Sequence, residues 1–118
     1  MITSEIKKII EENPVALATI DSNNRPHVIA VAFVKAPDSK TIVITDNYMK
    51  RTAKNIKERK NVALAVWDKN WKGYQIKGVA KYCKSGKWYN FIKKIEENKN
   101  EPCKAAIVVK IKEISKLG

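Results

Sequence analysis

The 118-residue chain is 44% hydrophobic and 31% charged, the length and composition of one domain (residues 1–118) that can build a core without disulfides or metals. Its longest apolar run, residues 28–34, is far short of the roughly 20 residues that cross a bilayer, and no basic region precedes an apolar stretch at the start, which predicts a cytoplasmic protein with no membrane span. Lysine and arginine outnumber acidic residues 24 to 12, a net +12 that attracts anions; only Arg25, Arg51 and Arg59 are arginines, which argues against sequence-specific nucleic-acid readout.

Thr3 or Ser4 can cap a first helix whose Ile6, Ile9 and Ile10 share one face and which Asn13-Pro14 ends. Residues 15–20 read as a strand, and Asp21-Ser22-Asn23-Asn24 supplies a hairpin turn. The second arm, residues 27–34, is almost wholly apolar and is expected as one strand with protein or ligand on both faces, closed by a turn at residues 36–39. Residues 41–45 are β-branched throughout and make a third strand, after which Asp46-Asn47 offers capping side chains. From residue 49 to 59 the period changes: Met49, Ala53 and Ile56 recur at helical spacing on an otherwise cationic segment.

Residues 61–68 and 73–82 give a fourth and a fifth strand, joined by a short polar loop that carries Trp71. Trp88, Phe91, Ile92 and Ile95 fall at i, i+3, i+4 and i+7 of a third helix. Residues 105–114 close the chain as a strand with Ile107, Val109, Ile111 and Glu113 on one side. Turns too short for parallel crossovers predict a mainly β fold, a six-stranded antiparallel split barrel with about three α-helices.

Four glycines leave no Rossmann fingerprint or P-loop, and the single histidine, His27, has no serine elbow around it. Cys83 and Cys103 read as small buried hydrophobes, and with one histidine no metal site is expected. The sharpest local feature is residues 47–55, where Lys50, Arg51, Lys54, Thr52 and Asn55 gather on the first turns of a helix. Unpaired amides and the positive end of the helix dipole favour a phosphate there.

That stretch, in order and spacing with Pro14-Val15-Ala16-Leu17-Ala18-Thr19, Pro26-His27-Val28, Ile42-Val43-Ile44, Asn61-Val62-Ala63-Leu64, Gly73-Tyr74-Gln75-Ile76-Lys77-Gly78 and Ala105-Ala106-Ile107-Val108-Val109, resembles the FMN-binding split barrels, which include pyridoxamine 5'-phosphate oxidase and small bacterial FMN-binding proteins. The resemblance covers almost the whole chain and implies FMN as cofactor. It places Arg51 and Thr52 on the flavin phosphate, with Lys50, Lys54 and Asn55 as neighbours. It lines the flavin with backbone from Val28, Ile29, Ala30, Val31 and Ala32 on one strand and from Ile44, Thr45 and Asp46 on another, and puts the Gln75 amide on the ring. It further implies a homodimer with flavin at the interface, in keeping with the apolar bulk of Trp67, Trp71, Trp88 and Tyr89, and a role in oxidoreduction or electron transfer.

Two departures from the family pattern narrow that implication. Ala30, Val31 and Ala32 stand where the small FMN-binding proteins carry polar or aromatic side chains, so ring contacts there fall to the main chain. The arginine and histidine that grip pyridoxal in the oxidase have no counterpart in residues 110–118, so oxidation of that vitamin is not expected. Two other readings remain open: a deazaflavin or other phosphorylated heterocycle in the same fold, and a cofactor-free barrel that binds nucleic acid with Trp71, Tyr74 and Tyr82 as stacking platforms.

Overall fold

Thr3 accepts the Ile6 amide at 3.2 Å and starts helix α1 (Ser4–Glu12), which turns Ile6, Ile9 and Ile10 inward. The computed structural model describes residues 1–117, and the elements that follow are β1 (Val15–Ile20), β2 (Pro26–Val31), β3 (Val34–Asp38), β4 (Thr41–Asp46), α2 (Arg51–Glu58), β5 (Asn61–Trp67), β6 (Gly73–Cys83), α3 (Lys87–Lys93), a 3-10 turn (Glu96–Asn98) and β7 (Ala105–Lys116). None of its helices is long and apolar enough to cross a membrane.

The strands form one antiparallel sheet of seven in the order β2-β1-β5-β6-β7-β4-β3, curled into a half-barrel. The extra strand arises because residues 27–34 are not one strand. Ala32 and Phe33 leave the ladder, β2 pairs only with β1 and β3 only with β4. The two halves of that apolar run are therefore the two edges of the sheet, and the barrel is split between them. A run without a polar interruption carries no period to reveal such a break. The turn expected at residues 36–39 also moves: β3 continues through Pro37 and Asp38, tolerable on an edge strand where a missing amide breaks no ladder bond.

Inside the half-barrel Leu17, Ile42, Ile44, Leu64, Ile76 and Ile107 pack together with the α1 isoleucines and Ile56 of α2. A second cluster, Val43, Ala106 and Val108 under Ile92 and Ile95, seats α3 on the outer side of β4 and β7. That double cover explains why every residue of β4 is buried. β2, expected to be covered on both faces, instead alternates, and Val28 is 64% exposed.

Three further expectations shift by a residue or two. Ile95 lies beyond α3, and Phe91 is exposed. α2 begins at Arg51, because the Met49 amide is held by Asp46 Oδ1 at 2.8 Å in a turn before the helix. Glu113 does not share the inner side of β7. The register slips between Lys77 and Gly78, so Ile111 faces Gly78 while Glu113 faces Lys77, and Ile114 takes the inward place beside Ile76.

Candidate functional site

Where β2 leaves the sheet, its exit faces the turn between β4 and α2 across a cleft of about 460 Å³. Ile29, Ala30, Val31, Ala32 and Phe33 make one wall; Thr45, Asn47, Tyr48 and Met49 make the other; Lys50, Arg51 and Thr52 stand at one end, with His27 and Glu101 also lining it. The slot is apolar along its length and cationic at α2.

The turn is fixed from behind. Asp46 is fully buried; its Oδ1 accepts the Met49 amide, its Oδ2 accepts the Tyr82 hydroxyl at 2.5 Å, and Lys104 Nζ stands 3.7 Å away. Asn47 and Asn98 exchange amide hydrogen bonds at 2.7 and 3.2 Å, and Asn47 Oδ1 also accepts the Cys103 amide. Lys104 donates its amide to the Asp46 carbonyl at 2.8 Å and its ammonium to the Met49 carbonyl at 2.7 Å. A turn held at so many points presents its outer groups in one arrangement.

Three features bear on a ligand. No side chain caps α2, so the helix start offers free amides together with its dipole. Among the described residues Lys50, Arg51 and Lys54 pair with no carboxylate. Thr45 lines the cleft, and its Oγ1 is buried without a hydrogen-bond partner among the described residues, an arrangement that is costly unless something else bonds it. The one carboxylate at the rim, Glu101, accepts the Tyr48 hydroxyl at 2.6 Å, and that bond pushes the Tyr48 pKa above its ordinary value.

Of the residues expected at a flavin, Ile29, Ala30, Val31, Ala32, Thr45, Lys50, Arg51 and Thr52 line this cleft. Lys54 and Asn55 line a neighbouring polar pocket instead, and the Asn55 amide donates to Thr19 Oγ1 in the interior. Val28, 64% exposed, is not part of the cleft lining, Ile44 is in the core and the Asp46 carboxylate is engaged by Met49 and Tyr82. Gln75 lies three strands from β2, between Ala65 and Ser115. The expected flavin residues left out His27, Phe33, Asn47, Tyr48, Met49 and Glu101; Glu101 reaches the cleft through a partner 53 positions away, for which the sequence carries no local signal.

The stacking platforms of the nucleic-acid reading do not assemble. Tyr74 is buried and the Tyr82 hydroxyl is bound to Asp46, which leaves Trp71, 79% exposed, stacked on Trp67 at 6.4 Å.

A family model described as pyridoxamine 5'-phosphate oxidase matches residues 2–118. An uncharacterized protein of Methanocaldococcus jannaschii is 33% identical over 120 residues, which cover 98% of this chain and 80% of that protein. HupZ of Group A Streptococcus superposes with a TM-score of 0.92 at 26% identity, over 99% of this chain and 94% of its own. An FMN-binding protein from Syntrophomonas wolfei superposes with a TM-score of 0.80 at 20% identity, over 96% of this chain and 84% of its own, a likeness of fold.

Proposed function

The chain belongs to the pyridoxamine 5'-phosphate oxidase family, and from that premise we propose that it is a cytoplasmic, homodimeric flavoprotein that holds FMN in the cleft between β2 and α2. The observation that carries the reading is Thr45, which lines an apolar slot that ends at cationic α2 and whose buried Oγ1 has no hydrogen-bond partner among the described residues. A planar heteroaromatic ring with polar edges fits the slot, and a phosphate fits its end.

Arg51 and Lys50 neutralise the phosphate, the Thr52 hydroxyl and the first amides of α2 donate to it, and Thr45 bonds the ligand beside the ring. Ala30 and Ala32 bring backbone close to the ring because their side chains are small. Bound FMN supplies the oxidation and reduction; the chain contributes binding, orientation and exclusion of water.

The dimer is supported by the outer face of the sheet. Ala30, Ala16, Ala65 and Gln75 form one cross-strand row, and Val28, Ala18, Ala63 and Lys77 the next. α3 packs on β4 and β7, so this small-residue surface is open in the single chain, and a second copy of the same surface fits against it.

Purified protein is expected to be yellow, with the absorption band near about 450 nm that oxidised flavins share. Arg51→Ala removes a charge-assisted phosphate contact and lowers flavin affinity by roughly 10- to 100-fold without changing the melting temperature of the flavin-free protein. Parental affinity in that variant would overturn the phosphate assignment.

A further inference from the structure

We propose that the face around α3 is a docking surface for an anionic lipid bilayer, on which the chain rests peripherally with Phe91 at the centre of the contact. The inference goes beyond the flavin reading and does not depend on it.

The sequence concentrates charge there. Residues 69–95 hold eight lysines and no carboxylate, and residues 60–118 hold no arginine. The fold brings the second half of that stretch together. Lys81 stands opposite Val108, the residue under α3; Lys84 lies in the turn after β6; Lys87, Lys93 and Lys94 belong to α3 and its end. Among the described residues none of these five pairs with a carboxylate. The carboxylates that follow α3 are engaged elsewhere, Glu96 by Lys99 at 2.8 Å and Glu97 by Lys35 at 3.5 Å. Unpaired ammonium groups gathered on one face make a field that attracts an anionic surface.

Aromatic side chains lie among these lysines. The exposed stripe of α3 is Lys87, Asn90, Phe91 and Lys94, at i, i+3, i+4 and i+7, so one phenyl ring is bracketed by a lysine a turn away on either side. Helical spacing assigns Phe91 to the core, yet it is 36% exposed and meets Trp88 edge to face at 5.8 Å. The Lys87 ammonium stands 4.6 Å over the Trp88 ring and that of Lys93 5.4 Å over Tyr89. Aromatic rings seated at a surface among flexible cations are the side chains that settle at the headgroup level of a bilayer.

Nucleic acid fits this face less well. Lysine is a point charge without the planar fork that arginine presents to a phosphate. A strand of bases also needs bare rings to stack on, and Trp88 and Tyr89 are half-buried with an ammonium over each. That leaves Phe91 alone. A bilayer asks for neither feature, because its headgroups are mobile and its charge is spread over the surface. α3 also stands outside the alanine surface of β2, β1 and β5, so a second copy seated there leaves it uncovered.

Co-sedimentation of the full chain with vesicles tests this. The protein is expected to pellet with phosphatidylcholine vesicles that carry about 30% phosphatidylserine at about 0.1 M salt, and to stay in solution with phosphatidylcholine alone. Lys84→Gln with Lys87→Gln removes two charges from the face and lowers the partition coefficient roughly 10- to 30-fold. Lys8→Gln with Lys69→Gln, an equal loss of charge beside α1, leaves it within about twofold. Phe91→Ala, at an exposed position, lowers it about threefold or more without changing its dependence on salt. Three results would overturn the assignment: no binding to the anionic vesicles, equal losses in the two double variants, or Phe91→Ala at parental affinity. A mixed-sequence single-stranded RNA or polyglutamate that displaces the protein from the vesicles and binds it more tightly would give the face to another polyanion, and overturn it as well.

Discussion

Asp46 shows how one side chain serves the cleft without touching it. Its buried carboxylate joins the Met49 amide on one oxygen and the Tyr82 hydroxyl on the other, tying the turn before α2 to β6. Tyr82→Phe leaves that carboxylate short of a donor, and about 1–3 kcal/mol of stability at neutral pH should be lost in denaturant titrations. Burial first, and then the bond to Asp46, raise the Tyr82 pKa well above its ordinary 10. The folded state thus keeps a proton that the unfolded chain releases above about pH 10, so this tyrosine's stabilisation is complete below that pH and shrinks as pH rises through it. The deficit of Tyr82→Phe relative to the parent is therefore expected to be constant from pH 7 to 9 and to narrow toward pH 11; a constant deficit throughout would remove the phenol from that role. The capping ability of Asp46 was legible from its type and place after a strand, but its partner lies 36 positions away and has no local signature.

Among the elements, those bounded by sharp chemical punctuation were legible: Thr3 before α1, Asn13-Pro14 after it, and Asp21 to Asn24 between β1 and β2. The cationic lining of the cleft was legible for a similar reason, since Lys50, Arg51 and Thr52 sit together in sequence as well as in space. What periodicity concealed was set by pairing: the break that separates β2 from β3, and the bulge that turns Glu113 outward. Gly78 stands where that bulge begins. A Cβ there would lie 2.4 Å from the Lys110 carbonyl oxygen and 2.8 Å from Val109 Cγ1, so the close approach of β6 to β7 requires the absence of a side chain. Gly78→Ala must push backbone apart in the middle of the sheet, and a loss of roughly 1–3 kcal/mol is expected from the urea midpoint. A change within about 0.5 kcal/mol would mean that the bulge absorbs the methyl group, and that the glycine is not what permits the register slip.

At the scale of the whole molecule, assembly and ligand binding meet on β2. Ala30 belongs both to the outer alanine surface and to the wall of the cleft, so a partner seated on that surface also borders the flavin. If a second copy seats there as proposed, the two sites are coupled, and flavin binding is expected to strengthen the dimer as much as the dimer strengthens flavin binding. Ala65 lies near the centre of the surface, on β5 between Ala16 and Gln75, half-exposed in the single chain. An arginine there can reach solvent in a monomer, whereas in the dimer it buries an unpaired charge, a penalty of roughly 3–5 kcal/mol. Ala65→Arg is accordingly expected to sediment as a monomer with the parent's circular dichroism and to bind FMN at least tenfold more weakly. Arg51→Ala, by contrast, loses flavin at its phosphate and still sediments as a dimer when its concentration is high. A dimeric Ala65→Arg would move the interface off this face. A monomeric Ala65→Arg with full flavin affinity would instead make the cleft complete within one chain, and the partner's contribution to it nil.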